Sequence, residues 1–293
     1  MSPPITVFLM QGAWHTPTHA QFLISAFAAA GIECDNCWCP STRVTNAKLP
    51  SLKDDEAAQH PDFSTPRPTT DPWPDAHTDA RFVEARLRQL VEDEGKLVLV
   101  IAHSWGGIPA SEACKEALCL PARKAVGKKG GVFGILFLTA FCVPVGMSTI
   151  DYVTHGPGGG DASKAFEVWP SGLVTCNDPE RCLFSPTERT AHAALIKRMA
   201  ESLTAQPMES NLTRLEYAGY RNVSCGYVVC EEDTMIPVAM QESLVASLKG
   251  EQGAPEVKVW RCRSGHEPAI TQPELVKDIA VKFADGVLGR GVA

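Results

Sequence analysis

No apolar run in the 293 residues approaches the roughly 20 needed to cross a bilayer, so no membrane-spanning helix is expected. Positive charge is also scarce: 27 Lys and Arg stand against 34 Asp and Glu, a formal net charge of −7. Binding nucleic acid calls for a basic stripe, and none is present, so that class of partner is excluded. Lys124, Lys128 and Lys129 read as a solvated loop. The first apolar run begins near Ile5 without a preceding basic segment and separate apolar region, so a secretory leader is not expected and a cytoplasmic location is. Gly158-Gly159-Gly160 follows no strand and lacks the Lys-Ser/Thr of a phosphate loop, which leaves it as a loop. Cysteine is not scarce, with eleven residues, but most are scattered through apolar runs where a thiol behaves as a small hydrophobe. Only Cys34, Cys37 and Cys39 cluster. With no second group at metal-ligand spacing, no metal is expected. Cys176 and Cys182 could close a short loop in an oxidising compartment, and the sequons at Asn211 and Asn222 would matter only in a secreted chain.

What the chain does contain is alternation. Thr6 to Met10, Glu33 to Cys37, Lys96 to Ile101, Val132 to Leu138, Val223 to Cys230 and Val257 to Cys262 read as strands. Helical spacing recurs over Thr18 to Ala30, Thr78 to Glu94, Gly107 to Ala117, Val238 to Leu248 and Glu274 to Asp285. Strands alternating with helices predict an α/β fold, a doubly wound, mainly parallel sheet of six strands. Between Val145 and about Tyr220 the alternation stops, and a Gly-, Pro- and Ser-rich stretch gives way to the helical pattern Pro186 to Leu203. Residues 1–144 and 221–293 are thus expected to form the core, and 145–220 a cap over the C-terminal edge of the sheet, where ligands bind in open α/β folds. A second proline-rich loop, Pro61 to Pro74, ends in Asp71-Pro72-Trp73-Pro74; it either packs near the pocket mouth or leads into the next helix.

The most informative stretch is Ala102-His103-Ser104-Trp105-Gly106, set between an apolar strand and a helix. Small residues around a serine at a strand-to-helix turn let the hydroxyl project from the sheet, as in the G-x-S-x-G nucleophile elbow; here alanine holds the first position. A serine hydroxyl is a weak nucleophile and needs a base oriented by an acid. Glu231-Glu232-Asp233 follows the fifth strand, and Asp233, with Ile236-Pro237 after it, is the candidate acid. Glu231 and Glu232 compete, because three successive acids also suit a solvated turn. His266 follows the sixth strand and is the candidate base, with His15, His19 and His103 as rivals. The oxyanion of an acyl-transfer intermediate would be met by two backbone amides, that of Trp105 and one from the loop Gln11-Gly12-Ala13-Trp14-His15, where Ala13 is the candidate. Gln11, Trp14, His15, His103 and Trp105 are candidates to line the pocket; for the two tryptophans core packing is an equal alternative.

The order Ser104, Asp233, His266 belongs to the α/β-hydrolase arrangement. With Gln11 to His15, Asp71 to Pro74, Ala102 to Gly107, Phe137 to Phe141, Asp233 to Pro237 and Ser264 to Pro268, the chain resembles the α/β-hydrolase superfamily. Within it, the likeness is to small cap-bearing esterases related to plant methyl esterases and hydroxynitrile lyases. Two positions depart from that likeness. Gln11 stands where such proteins commonly carry histidine, and Glu267 where the lyases carry lysine, which argues against cyanohydrin cleavage. The resemblance implies a serine hydrolase acting without cofactor in a tailoring step of natural-product metabolism, and the cap with its aromatic neighbours suggests an apolar pocket and so a small, mostly apolar ester, lactone or thioester. Retro-Claisen C–C cleavage or cyclisation on the same triad, histidine-driven lyase or oxygenase chemistry, and a non-hydrolytic ligand receptor are the alternatives. No motif fixes the oligomeric state, a homodimer included.

Overall fold

The computed structural model describes residues 4–44, 62–160, 165–250 and 256–290. Six strands, β1 (Ile5–Met10), β2 (Glu33–Cys37), β3 (Leu97–His103), β4 (Gly131–Leu138), β8 (Ser224–Cys230) and β9 (Val257–Cys262), form one sheet in the order β2-β1-β3-β4-β8-β9. Every pairing in it is parallel, so all six C-terminal ends lie along one edge.

β1, β3 and β4 are buried on both faces, which is why they read as continuous apolar runs rather than as alternation. Successive side chains still part company: Val7 and Leu9 join Leu99 and Ile101 under helices Pro17–Ala29 and Pro273–Leu288, through Leu23, Phe27, Val276 and Phe283. Phe8 and Met10 join Val98 and Val100 on the opposite face, under helices Ala76–Arg88, Gly107–Ala113 and Val238–Gly250.

Several boundaries differ from those the sequence predicts. β3 runs on to His103, so the strand leads straight into Ser104. The helix expected from Thr78 starts at Ala76 because Asp75 caps it, accepting from the Thr78 amide, and its end unwinds into a π turn over Gln89–Asp93. The helix expected to reach Ala117 stops at Ala113, where the turn at Gly219 lies against the Ser111 and Cys114 carbonyls.

Between β4 and β8 the chain builds a second, antiparallel sheet, β5 (Phe166–Val168), β6 (Leu173–Cys176) and β7 (Gln206–Pro207). The sequence predicts no strands here, since segments of two to four residues are too short to show a period. The helix expected over Pro186 to Leu203 is two helices, Pro186–Ala191 and Ala193–Glu201, broken where His192 leaves helical backbone. Trp73 packs with Val44, Leu173 and Ala205 and donates to the Ser171 carbonyl at 2.8 Å, so the 71–74 segment is fastened to this small sheet. Pro61 lies outside the described residues. All eleven cysteines, Cys176 and Cys182 included, are free thiols in this structure. No helix among the described residues is long and apolar enough to cross a membrane.

Candidate active site

Five loops meet at the shared C-terminal edge. Met10 pairs with Ala102 in register, so the loop after β1 lies beside the turn after β3; Leu138 pairs with Val228 and Cys230 with Cys262, which brings the ends of β4, β8 and β9 into line with them. Ser104 begins a tight helical turn directly after β3 with φ of 53°. Left-handed backbone at a non-glycine residue is strained and is the geometry that aims an elbow serine out of the sheet.

His266 Nε2 lies 2.8 Å from Ser104 Oγ, and His266 Nδ1 lies 2.7 Å from Asp233 Oδ2. A carboxylate oxygen accepts, so Nδ1 carries the proton and the Nε2 lone pair faces the serine hydroxyl. Asp233 is itself held by four donors. Its Oδ1 accepts from the Met235 and Ile236 amides at 2.8 and 2.9 Å, and its Oδ2 also accepts from Thr139 Oγ1 at 2.5 Å. Burial disfavours the charged form of His266, but the neighbouring Asp233 carboxylate outweighs it and, with Glu267, places the imidazole above its ordinary value. Of the three successive acids, Asp233 is buried, and Glu232 instead pairs at the surface with Arg263.

Ala13 and Trp105 line the cavity into which Ser104 opens. Gly12 makes this arrangement possible: a Cβ there would stand 2.9 Å from Ser104 Cβ, so only glycine lets the loop lie against the elbow. Trp14, next to Ala13, has φ of 64°; its indole donates to the Val174 carbonyl of β6 at 3.1 Å, tying the loop to the small sheet.

Ser104 opens into a cavity of about 60 Å³ lined by Trp14, Trp105, Phe141, Ile150 and Phe166, with Thr149 and Asn211 as its other polar side chains. Thr149 Oγ1 is buried and has no hydrogen-bond partner. Val153, Ala165 and Met235 are shared with a larger cavity of about 510 Å³, which also reaches Gly158, Arg181, Cys182 and Thr234.

The candidate residues therefore divide. Ser104, Asp233, His266, Ala13, Trp105 and Trp14 come together, while Gln11, His15 and His103 are not among the lining residues of either cavity. Gln11 turns toward Asn36, Thr16 and Ala20, because β1 still runs close beside β2 at this point. His103 points its Nε2 at the His266 carbonyl, 2.9 Å away, and His15 contacts Ala13 and Glu267 behind the site.

Two residues at the site had no signal pointing to this role. Thr139 is an isolated threonine after β4. Glu188 belongs to a Ser185–Glu188 capping box, legible as S-P-T-E, yet its carboxylate also accepts from Ser264 Oγ, the Gly265 amide and Thr271 Oγ1, fixing the loop that carries His266.

Comparison with known proteins agrees with this architecture. An alpha/beta hydrolase of Aspergillus novofumigatus, nvfD, is 24% identical over 271 residues, 92% of each chain. The crystal structure of polyneuridine aldehyde esterase superposes with a TM-score of 0.65 at 15% identity, covering 96% of this chain and 100% of that one. That of a methylesterase from Arabidopsis gives 0.57 at 18%, covering 96% and 99%. The family model described as "Alpha/beta hydrolase family" matches residues 7–279, and the chain belongs to that family.

Proposed function

We propose that the protein is a serine hydrolase that cleaves a small, mostly apolar ester, lactone or thioester through an acyl-enzyme. The observation that carries this reading is the unbroken chain Asp233–His266–Ser104 at the mouth of a mostly apolar cavity. Ser104 Oγ attacks the carbonyl carbon as its proton passes to His266 Nε2, and Asp233 stabilises the imidazolium that forms. The Ala13 and Trp105 amides donate hydrogen bonds to the developing oxyanion. Collapse of the tetrahedral intermediate expels the alcohol, or the thiol of a thioester, which takes the proton from His266. Water then repeats the sequence on the acyl-enzyme and releases the acid.

The cavities bound the substrate. The inner chamber has room for a group of only a few heavy atoms, so one side of the scissile bond is small, and the larger portion extends into the outer cavity. No cation is among the residues lining the inner chamber, which suits a neutral ester over an anionic group at the reacting centre. The stretch between β4 and β8 acts as the cap that closes over this substrate. A tailoring step on a natural product is the metabolic setting we favour.

Fluorophosphonate labelling, read by intact mass and peptide mapping, tests the reading. Labelling at Ser104 that disappears in Ser104→Ala and His266→Ala is the expected result. A folded, unlabelled protein would refute it in favour of lyase chemistry or ligand reception.

A further inference from the structure

Behind the oxyanion loop lies a buried cluster that the proposed acyl transfer does not use. Glu267 follows His266 in the chain, is 1% exposed, and sets Oε1 3.0 Å from His15 Nε2. The other ring nitrogen of His15, Nδ1, is 2.6 Å from the Ala13 carbonyl oxygen. His19 and His103 pack edge-on against the same ring, with centroids 4.7 and 5.3 Å away.

Both nitrogens of His15 thus face acceptors. A carbonyl oxygen accepts only, so Nδ1 carries a proton, and an ionised carboxylate requires a second one on Nε2. With Glu267 ionised, the geometry has His15 donating through both ring nitrogens, to Glu267 and to the Ala13 carbonyl. Burial opposes the charge on Glu267, but His15 first, then His103 and His266, hold the carboxyl well below the usual range. The neighbouring rings do not compete for the proton. Burial pushes His19 and His103 each down to about 4, and each faces a backbone carbonyl through Nε2, that of Met199 and of His266 respectively.

The site of this pair gives it a task. Ala13, which lines the cavity beside Ser104, is the candidate donor of one of the two oxyanion amides, and Trp14 beside it is held in left-handed backbone, which a bulky residue adopts only under restraint. The Thr204 amide donates to the Trp14 carbonyl at 2.8 Å from one side. The His15 ring holds the Ala13 carbonyl from the other. We propose that the Glu267–His15 ion pair is a positioning device: it keeps the Ala13 amide aimed at the space beside Ser104 and couples that loop to the one carrying His266. The inference rests on the acyl-transfer reading of Ser104. His15, His103 and Glu267 also offer metal-ligand atoms within 4.8 Å of one another. A cation there would have to displace both the His15–Glu267 bond and the hydrogen bond from His103 to the His266 carbonyl, so positioning is the better account of the same atoms.

The test compares wild type with Glu267→Gln and His15→Gln, counting active sites by fluorophosphonate titration. It reads kcat and KM on p-nitrophenyl acetate and inhibition by a trifluoromethyl ketone, whose adduct with serine carries an oxyanion. Because an oxyanion interaction exists only in the transition state, kcat per titrated site should fall about 10- to 100-fold, part of the loss seen when a whole donor is removed. KM should stay within about twofold, and affinity for the ketone should fall in parallel with kcat. A drop in melting temperature with kcat per site unchanged would overturn the proposal. Nitrogen-15 NMR of the wild-type His15 ring needs no folded variant: two protonated ring nitrogens at mildly alkaline pH support the ion pair, and one overturns it. If wild-type Ser104 is never labelled, the acyl-transfer reading fails by itself, and the same spectrum still decides the ion pair.

Discussion

Replacing Asp233 by asparagine should disable the site while leaving the fold intact, and the four hydrogen bonds to this carboxylate explain why. An asparagine at this position has two orientations. With its oxygen toward the Met235 and Ile236 amides it satisfies both, and its NH2 then faces Thr139 and His266. Reversed, it would set its own donors against two backbone N–H groups and leave them unpaired, at about 1–3 kcal/mol each, so the first orientation is favoured by about 2–6 kcal/mol. That orientation donates to His266 Nδ1 and moves the ring proton to Nε2, where it faces Ser104 as a donor and can no longer accept the hydroxyl proton. We expect kcat on an activated ester to fall by about 10⁴, the scale seen when an orienting acid yields the wrong tautomer, with KM little changed. Steady-state kinetics, with circular dichroism to verify folding, measures this directly. A kcat within about tenfold of wild type would refute both the tautomer argument and the assignment of Asp233.

Thr149→Val removes a buried hydroxyl without a partner, so thermal unfolding should show a gain of about 1 kcal/mol, while KM rises for esters that carry a second hydrogen-bond acceptor; a loss of stability with KM unchanged would show that the hydroxyl does not serve substrate. Gly106→Ala would set a Cβ 2.3 Å from the Gln11 carbonyl oxygen, backbone against backbone, and should cost about 1–3 kcal/mol in denaturant unfolding and slow labelling of Ser104 by forcing the elbow away from the oxyanion loop. Burial pushes Asp79 up to about 7 against the two hydrogen bonds from Ser41, and holds His19 and His103 down at about 4. Between about pH 4.5 and 6 the unfolded chain therefore binds two more protons at the histidines and one fewer at the aspartate, so these groups make stability rise with pH by about 1.4 kcal/mol per unit. Asp79→Asn removes the opposing contribution and should steepen that slope to about 2.8 kcal/mol per unit, read from denaturant midpoints across the range.

The sheet was legible because its signals are local. Apolar runs such as Leu97 to Ile101, prolines at Pro237 and Pro273, and glycines around Ser104 each act within a few residues of themselves, and together they specify strands, helix starts and a sharp turn. Boundaries slipped where a distant segment intervened, as at Ala113, where the turn at Gly219 closes the helix. The small antiparallel sheet escaped because its strands are stabilised by contacts with Trp73 and Val44 rather than by any periodicity of their own.

The same division runs through the site. Chain order and strand ends put Ser104, the acid run Glu231 to Asp233 and His266 at one edge, since a parallel sheet sets all its C-terminal ends there. Which of three adjacent acids faces the histidine was decided by the tertiary structure, through Thr139 and two backbone amides that hold only Asp233. Of the histidines, the sequence offered four candidates. Packing directs one to the serine, turns His103 and His19 toward backbone carbonyls, and buries His15 against Glu267, because a side chain's direction depends on which neighbours arrive from elsewhere in the chain and not on its own place in the sequence.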